Sequence, residues 1–337
     1  MKILYVEDNL SRSLDLVIRL FSNYLVGKPV DDLKRLIADD YGATPDEIKQ
    51  IVESTNIVEI ADSFPDALRK IMYGYDRYAC FIVDRNLIEN PYEFREVNGI
   101  DPNYTEALCD KFLKREGDYL LIWLATKTIN PEVMLQKFNF LSAYPTGPND
   151  EIRGVENIQT FIDMKTFKED QFFEKGSPRM DDLKKKIDNI RVLNIRYENQ
   201  VYLDILRNNL HEKYEEMFLN VLLEKDEERR IGNNLKEIRI IYEHILKKFM
   251  ADIPKRRDEQ RKDYINRLFQ QLLDKKQINP MLRNYCNTIF NVCSAYGAHN
   301  KNPEDEIFGP TLNSINSIIY ALKEVILWLG EQRQQKK

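Results

Sequence analysis

The sequence predicts an α/β domain, built on a doubly wound five-stranded parallel sheet, followed by an all-α helical domain. Two observations support this prediction. In residues 1–172, short apolar runs alternate with segments of helical spacing, an order typical of parallel strands joined by crossover helices. After residue 172 the strand pattern stops and helical spacing continues. We therefore expect two domains, residues 1–172 and residues 173–337.

Five segments of the first domain are predicted strands, because each is a short and largely apolar run. Helical spacing in Leu10–Leu25 and Phe64–Met72 predicts two of the helices between them. An extra short helix is predicted after Thr44, where an N-cap residue is followed by Pro45 and by an acid at the third position. The predicted strands are Lys2–Val6, Asn56–Ile60, Ala79–Val83, Tyr119–Leu124 and Ile158–Met164.

The second domain is predicted to begin with one long helix, because Met180–Glu224 contains no Pro or Gly and has apolar residues at helical spacing. A helix of about 45 residues would span roughly 65 Å and needs a partner surface for its apolar stripe. We therefore expect this stripe to pack against the later helices or against a second copy of the chain, which would form a homodimer through residues 180–224. The further predicted helices are Ile231–Met250, Asp263–Lys275, Pro280–Ala295 and Thr311–Leu329.

Composition excludes several classes of protein. The chain of 337 residues is 43% hydrophobic, with 12 Gly and 13 Pro, which argues against a fibrous or disordered protein. Four cysteines without a C-x-x-C pair argue against a disulfide framework or a structural zinc site. The longest apolar run, Tyr119–Ala125, is far short of the ~20 residues that cross a bilayer. We expect a cytoplasmic protein that does not enter a membrane.

The two halves of the chain carry charge of opposite sign. Residues 1–170 have 20 Lys and Arg against 30 Asp and Glu, a net charge of −10, whereas residues 171–337 have 30 against 25, a net charge of +5. This difference favours two domains with different roles. An ordinary solvated surface on each domain is the alternative explanation.

Polar side chains stand at the ends of four predicted strands: Glu7, Asp8, Asp84, Thr126 and Lys165. Because the carboxyl ends of parallel strands meet at one edge of a sheet, we expect these residues to share a crevice. Oxygen ligands of this kind suit Mg²⁺, and the ammonium and hydroxyl groups would stabilise a phosphoryl group. The alternative is that these residues are solvated caps of strands and helices.

The same segments resemble the receiver domain of two-component response regulators. The first strand and its acids, Lys2 to Asn9, look like the family's first strand, and Val58 to Leu68 looks like its second strand and following helix. Tyr78 to Asp84 is similar to the third strand with its phospho-accepting aspartate, and Lys165-Thr166-Phe167 stands where the family has Lys-Pro-Phe. The chain departs from the family at Ala125-Thr126, where the family has a hydroxyl residue followed by Ala.

The resemblance implies a function for each residue of the crevice. Asp84 would accept the phosphoryl group, and Glu7, Asp8 and Asp84 would hold Mg²⁺ together with the main-chain carbonyl of Asn86. Lys165 and Thr126 would contact the phosphoryl group. The resemblance also implies a sensor histidine kinase or a phosphotransfer protein as partner, and no enzymatic activity beyond self-catalysed phosphorylation and dephosphorylation.

Two features of the helical domain keep a second function open. Arg239 and His244 match the Arg-x4-6-His spacing of the HEPN ribonucleases, and Ala295–Asn300, with His299, is similar to helical modules of some phage-defence proteins. A basic cluster lies in residues 247–262 and is interpreted as a solvated face, with nucleic-acid binding not excluded. The sequence therefore predicts a response regulator-like protein with a helical output domain. The alternative is a nuclease-type or defence effector with a regulatory or degenerate receiver domain.

Overall fold

The computed structural model describes residues 1–38, 43–143, 169–250, 255–257, 260–296 and 309–334. The chain forms two compact units, residues 1–197 and residues 198–337. The sequence prediction divided the chain after residue 172, whereas in the structure residues 173–197 belong to the first unit. None of the described helices combines the length and the apolar character needed to cross a membrane.

The first unit contains a five-stranded parallel sheet, which is compatible with a flavodoxin-like fold. The strands are β1 (Lys2–Val6), β2 (Val58–Ala61), β3 (Tyr78–Asp84), β4 (Phe138–Ser142) and β5 (Phe172–Glu174). They lie in the order β2-β1-β3-β4-β5, and every neighbouring pair is parallel. After β1 the chain adds β2 at one side of β1, and it then crosses to the other side of β1 to add β3, β4 and β5 in turn. The topological switch point, where such sheets bind ligands, therefore lies between β1 and β3.

Helices cover both faces of this sheet. Alternate residues of β3 point to opposite faces, so Phe81 and Val83 join one apolar cluster and Cys80 and Ile82 join the other. Both clusters are buried, which explains why the strands are almost wholly apolar. The helices of this unit are α1 (Leu14–Phe21), α2 (Lys28–Ala38), α3 (Pro45–Glu53), α4 (Phe64–Gly74), α5 (Phe94–Ile100), α6 (Glu106–Phe112), α7 (Glu116–Lys127), α8 (Pro131–Lys137), α9 (Met180–Asp188) and α10 (Arg191–Glu198).

The first three predicted strands and the helix predicted over Phe64–Met72 are confirmed, whereas the helix predicted over Leu10–Leu25 is shorter and spans Leu14–Phe21. Strands β1, β2 and β3 lie within two residues of their predicted bounds, and the helix predicted over Phe64–Met72 extends to Gly74. The predicted helix start at Thr44 is a capping box, in which the Glu47 amide donates to the Thr44 hydroxyl and the Thr44 amide donates to the Glu47 carboxylate. Short-range sequence patterns are sufficient to predict these strands and helices, because cap or turn residues next to each element mark its ends.

The predicted strand Tyr119–Leu124 is wrong, because these residues lie inside helix α7. The helix is buried along most of its length, so its apolar residues do not keep to one stripe. A short apolar run of this kind has the same pattern in a buried strand and in a buried helix. The run consists of three Leu and two aromatic residues with a single β-branched residue, Ile122, and is compatible with a helix. The actual fourth strand is β4, and the predicted strand Ile158–Met164 lies outside the described residues.

The predicted long helix Met180–Glu224 is also wrong, because the structure divides it into four helices. These are α9, α10, α11 (Gln200–Asn209) and α12 (Glu212–Glu224). Polar side chains bond free main-chain groups at two of the three breaks: Asn194 Nδ2 donates to the Asp188 carbonyl, and His211 Nδ1 accepts from the Lys213 amide. Ile187, which lies in the range expected to form the dimer, is buried in the core of the first unit, so the continuous apolar stripe behind that prediction does not form.

The second unit is helical, as predicted. Its core includes residues of α13 at helical spacing, such as Leu235, Ile238 and Ile245, together with Cys286 and Ile289 of α15. Helices α13 and α15 pack against each other and against α16. The predicted helices after residue 230 are confirmed: α13 (Ile231–Met250), α14 (Arg261–Asp274), α15 (Pro280–Tyr296) and α16 (Leu312–Gln334).

Candidate functional site

Three carboxylates meet at the switch point of the sheet. Glu7 and Asp8 follow β1, and Asp84 is the last residue of β3. The register of β1 and β3 pairs Val6 with Val83, which places Glu7 beside Asp84. One carboxylate oxygen from each of the three acids lies within 4.8 Å of the others, and all three residues are buried. The structure therefore brings together the three acids that the sequence predicted to share a crevice.

A lysine that the sequence analysis did not select completes this cluster. Lys175 follows β5, and its Nζ lies 2.6 Å from Glu7 Oε2 and 2.5 Å from Asp84 Oδ2. Its position is fixed by the sheet, because the Lys175 amide donates to the Ser142 carbonyl at 2.7 Å. One ammonium group therefore bridges two of the three carboxylates.

Glu7 is held by three donors. Its Oε2 accepts from Lys175 and from the Tyr5 hydroxyl at 3.2 Å, and its Oε1 accepts from the Asn9 amide at 3.2 Å. Tyr5 lies on the same strand and face as Glu7 and is fully buried. Burial raises the pKa of the Tyr5 hydroxyl, and the charges of Glu7 and Asp84 raise it further. The hydroxyl therefore stays protonated and acts as a donor.

Asp8 is tied to the loop that follows β3. Its Oδ2 accepts from the Glu89 amide at 2.6 Å. The side-chain amide of Asn90 donates to two main-chain carbonyls, that of Asp8 at 3.3 Å and that of Asp62 at 2.6 Å. The chain segments that follow β1, β2 and β3 are thereby joined above the acidic cluster.

Burial makes the charges of this cluster costly. It raises the pKa of Asp8, and it raises the pKa of Asp84 to about 6, where attraction to Lys175 opposes the rise without cancelling it. Burial acts to lower the pKa of Lys175, but its attraction to Glu7 and Asp84 outweighs burial and the pKa is raised. The ammonium group of Lys175 thus compensates only part of the negative charge of the three carboxylates. A divalent cation would compensate the rest. The cluster can bind a metal ion.

Of the two other predicted contacts of a phosphoryl group, Thr126 does not belong to this cluster and Lys165 is not among the residues that the structure describes. Thr126 lies in the exposed last turn of α7, where its hydroxyl donates to the Ile122 carbonyl at 2.8 Å, so it is not at a strand end. The buried hydroxyl residue at the end of β4 is Ser142, followed by Ala143. Ser142-Ala143 therefore has the order, a hydroxyl residue followed by Ala, that Ala125-Thr126 lacks.

A sequence signal for Lys175 and Ser142 existed but was weak. Ser142 follows Phe138–Leu141, a run of four residues that Asn139 interrupts. Lys175 follows a strand of only three residues and precedes Gly176, whose φ is +82°. The longer apolar run in Tyr119–Ala125 was the stronger strand signal. Assigning the fourth strand to that run placed the expected hydroxyl at Thr126 instead of Ser142.

Asn86 remains a candidate metal ligand through its main-chain carbonyl. It lies two residues after Asp84, and its amide donates to Asp84 Oδ1 at 3.1 Å. Its side chain donates to the Lys114 carbonyl, at the turn before α7. The position of Asn86 relative to the acidic cluster is therefore set from both its main chain and its side chain.

The residues behind the nuclease alternative have separate partners. Arg239 and His244 lie on α13, about 140° apart around the helix at 3.6 residues per turn. Arg239 Nε donates to Glu243 Oε1 at 2.9 Å. His244 Nδ1 lies 2.8 Å from the Ile240 carbonyl, and its ring is 4.7 Å from that of Tyr214. His299 lies outside the described residues.

Comparison of the chain with known proteins finds no similar protein. No protein-family model matches the chain, and no curated protein or solved structure matches it either. The function is therefore argued from the site itself.

Proposed function

We propose that the first unit is a receiver-like domain that accepts a phosphoryl group on Asp84 and passes this signal to the helical unit. The observation that carries the proposal is the bridge from Lys175 to Glu7 and Asp84, with Asp8 beside it, at the switch point of a parallel sheet. A buried acid with one cation and two further acids is the arrangement that phosphoryl transfer to a carboxylate requires, because positioning and charge compensation supply most of its catalysis.

In the proposed reaction the Asp84 carboxylate attacks the phosphorus atom of a donor. The bond between phosphorus and the donor's leaving atom breaks, a phosphorus–oxygen bond forms, and the product is an acyl phosphate on Asp84. The Asn86 amide, which donates to Asp84 Oδ1, orients the carboxylate. Lys175 would transfer its hydrogen bond from Asp84 to a phosphoryl oxygen while keeping its ion pair with Glu7. Ser142, at the end of the neighbouring strand, takes the place that the sequence analysis gave to Thr126.

The proposed metal is Mg²⁺. Glu7, Asp8, Asp84 and the main-chain carbonyl of Asn86 form an oxygen-only donor set, which suits a hard divalent cation that keeps some of its water ligands. The bound cation would offset the negative charge on the phosphoryl oxygens. The proposed donor is a sensor histidine kinase or a phosphotransfer protein, and residues 198–337 are the proposed output or interaction domain.

Mass spectrometry of the intact protein tests this proposal. After incubation with acetyl phosphate and Mg²⁺, we expect the mass of one added phosphoryl group, which hydroxylamine removes because it cleaves acyl phosphates. Asp84→Asn should abolish the addition. The matched control is Asp110→Asn, which changes an exposed aspartate of α6 and should label as the wild type does. Undiminished labelling of the Asp84→Asn protein, or no labelling of the wild type, would contradict the proposal.

A further inference from the structure

The first turn of α7 lies directly against the segment that carries Asp84. We call residues 84–87 the acceptor loop and residues 116–118 the α7 turn. Gly117 touches the loop most closely: a Cβ atom at this position would lie 2.5 Å from the Asp84 carbonyl oxygen and 2.9 Å from Arg85 Cα. The Gly117 amide donates to the Arg85 carbonyl at 3.2 Å. A side chain of any size would therefore push the acceptor loop and the helix apart.

Glu116 binds the acceptor loop by hydrogen bonds. It is buried, and its Oε2 accepts from the Leu87 amide at 3.2 Å. Its Oε1 accepts from the Lys114 amide at 3.0 Å and from the Tyr92 hydroxyl at 3.4 Å. One carboxylate therefore joins the end of the acceptor loop to the start of α7.

Asp118 binds the acceptor loop through a buried ion pair. Arg85 donates to Asp118 from Nε at 2.8 Å and from Nη2 at 3.1 Å, and both side chains are at most 2% exposed. Arg115 Nε donates to the same carboxylate at 2.9 Å. Bidentate pairing fixes the geometry of an arginine more strictly than a single contact does. Because Arg85 follows Asp84 directly, the ion pair restrains the backbone one residue from the acceptor.

We infer that the α7 turn is a positioning element for the metal ligands of the acceptor loop. Close packing at Gly117, hydrogen bonds at Glu116 and an ion pair at Asp118 act on three successive parts of the loop. Together they fix the positions of the Asp84 carboxylate and the main-chain carbonyl of Asn86. Metal ligands must be held within ~0.5 Å of their binding geometry, and a loop without such contacts would not hold them so closely. This inference rests on the proposed metal site. It predicts that metal affinity depends on residues that are not themselves ligands.

Substitution of Gly117 tests the inference with a matched control. Gly117→Ala should weaken Mg²⁺ binding by about tenfold or more, because the Cβ atom displaces the acceptor loop. Gly99→Ala introduces the same group into helix α5, where nothing lies within 4 Å of the new atom, and should leave the dissociation constant unchanged. Isothermal titration calorimetry with MgCl2, well below the unfolding temperature of each protein, measures the affinity of folded protein and so separates positioning from stability.

A second variant keeps the test decisive if Gly117→Ala does not fold. Glu116→Gln keeps the size of the side chain but replaces one acceptor oxygen by an NH2 group. This donor would face the donor N–H of Leu87 or of Lys114, so one of the two hydrogen bonds would be lost. We expect weaker Mg²⁺ binding and a changed Mg²⁺-dependent shift of the Leu87 amide in ¹H–¹⁵N spectra.

Two outcomes overturn different claims. Equal dissociation constants for the wild type, Glu116→Gln and any folded Gly117→Ala protein would overturn the positioning inference alone. A wild type that binds no Mg²⁺ at millimolar concentration would overturn both the inference and the proposed metal site.

Discussion

Replacement of Asp84 by Asn should stabilise the metal-free protein. The pKa of Asp84 rises from its ordinary value of 3.8 to about 6, because burial disfavours the charged carboxylate more than Lys175 favours it. At about 1.4 kcal/mol per pH unit, the ionised side chain costs the folded state up to about 3 kcal/mol above pH 6. Asn removes this charge but has only one acceptor oxygen, so it can accept from the Asn86 amide or from Lys175 but not from both, which reduces the gain. Lys175 keeps its ion pair with Glu7.

The size of the effect depends on pH. Between about pH 4 and pH 6 the folded protein holds a proton on Asp84 that the unfolded chain has lost, so this group lowers stability as the pH rises through that range. The gain from Asp84→Asn should therefore be small at pH 4, grow up to pH 6 and stay constant above it. Urea unfolding in EDTA at pH 4.5, 6 and 8 measures it. Asp110→Asn, at an exposed site on α6, should change stability by less than about 0.5 kcal/mol.

Metal should offset most of the stability difference between the two proteins. A saturating divalent cation stabilises the wild type by about 2.7 kcal/mol at a hundred times the dissociation constant, whereas Asp84→Asn lacks one ligand and should gain much less. An Asp84→Asn protein less stable than the wild type at pH 8 in EDTA would refute the reasoning. That result would mean that the pairing of Asp84 with Lys175 outweighs the cost of burying its charge.

Three further outcomes follow from the same contacts. Lys175→Met should destabilise the protein by about 3 kcal/mol at pH 8, since Glu7 and Asp84 lose their shared cation. This destabilisation should shrink in acid, and urea unfolding at several pH values measures its size and its pH dependence. Tyr5→Phe removes one donor from Glu7 and should cost about 1 to 2 kcal/mol in chemical denaturation without changing the circular dichroism spectrum. A fragment of residues 198–337 should fold alone with a helical spectrum and a cooperative melt; an unfolded fragment would contradict the division into two units.

The sequence predicted the acidic cluster because its signals are local. Each acid directly follows a short apolar run, and in a parallel sheet all such runs end at the same edge. The assignment of β1 and β3 therefore sufficed to bring Glu7, Asp8 and Asp84 together, before any distance was known. The helix start at Thr44 was predictable for the same reason, since both halves of its capping box lie within four residues.

The errors arose where two structures share one local pattern. Tyr119–Leu124 is apolar on every side because helix α7 is buried on most sides, and such a run does not distinguish helix from strand. Residues 180–224 have continuous helical spacing, but two of the three breaks carry side-chain caps, such as the bond from Asn194 to the Asp188 carbonyl. These caps depend on side-chain orientations that a pattern of apolar residues does not record.

By itself, the sequence determined the two-part organisation, the first three strands and the three acids, because these follow from runs of neighbouring residues. Only the tertiary structure decided which lysine meets the acids and which residues hold the acceptor loop. Lys175 lies 91 positions from Asp84, and Asp118 lies 33 positions from Arg85. Contacts at such separations depend on the order of strands in the sheet and on the placement of α7. Both are set by the packing of the whole core, so no local spacing encodes them.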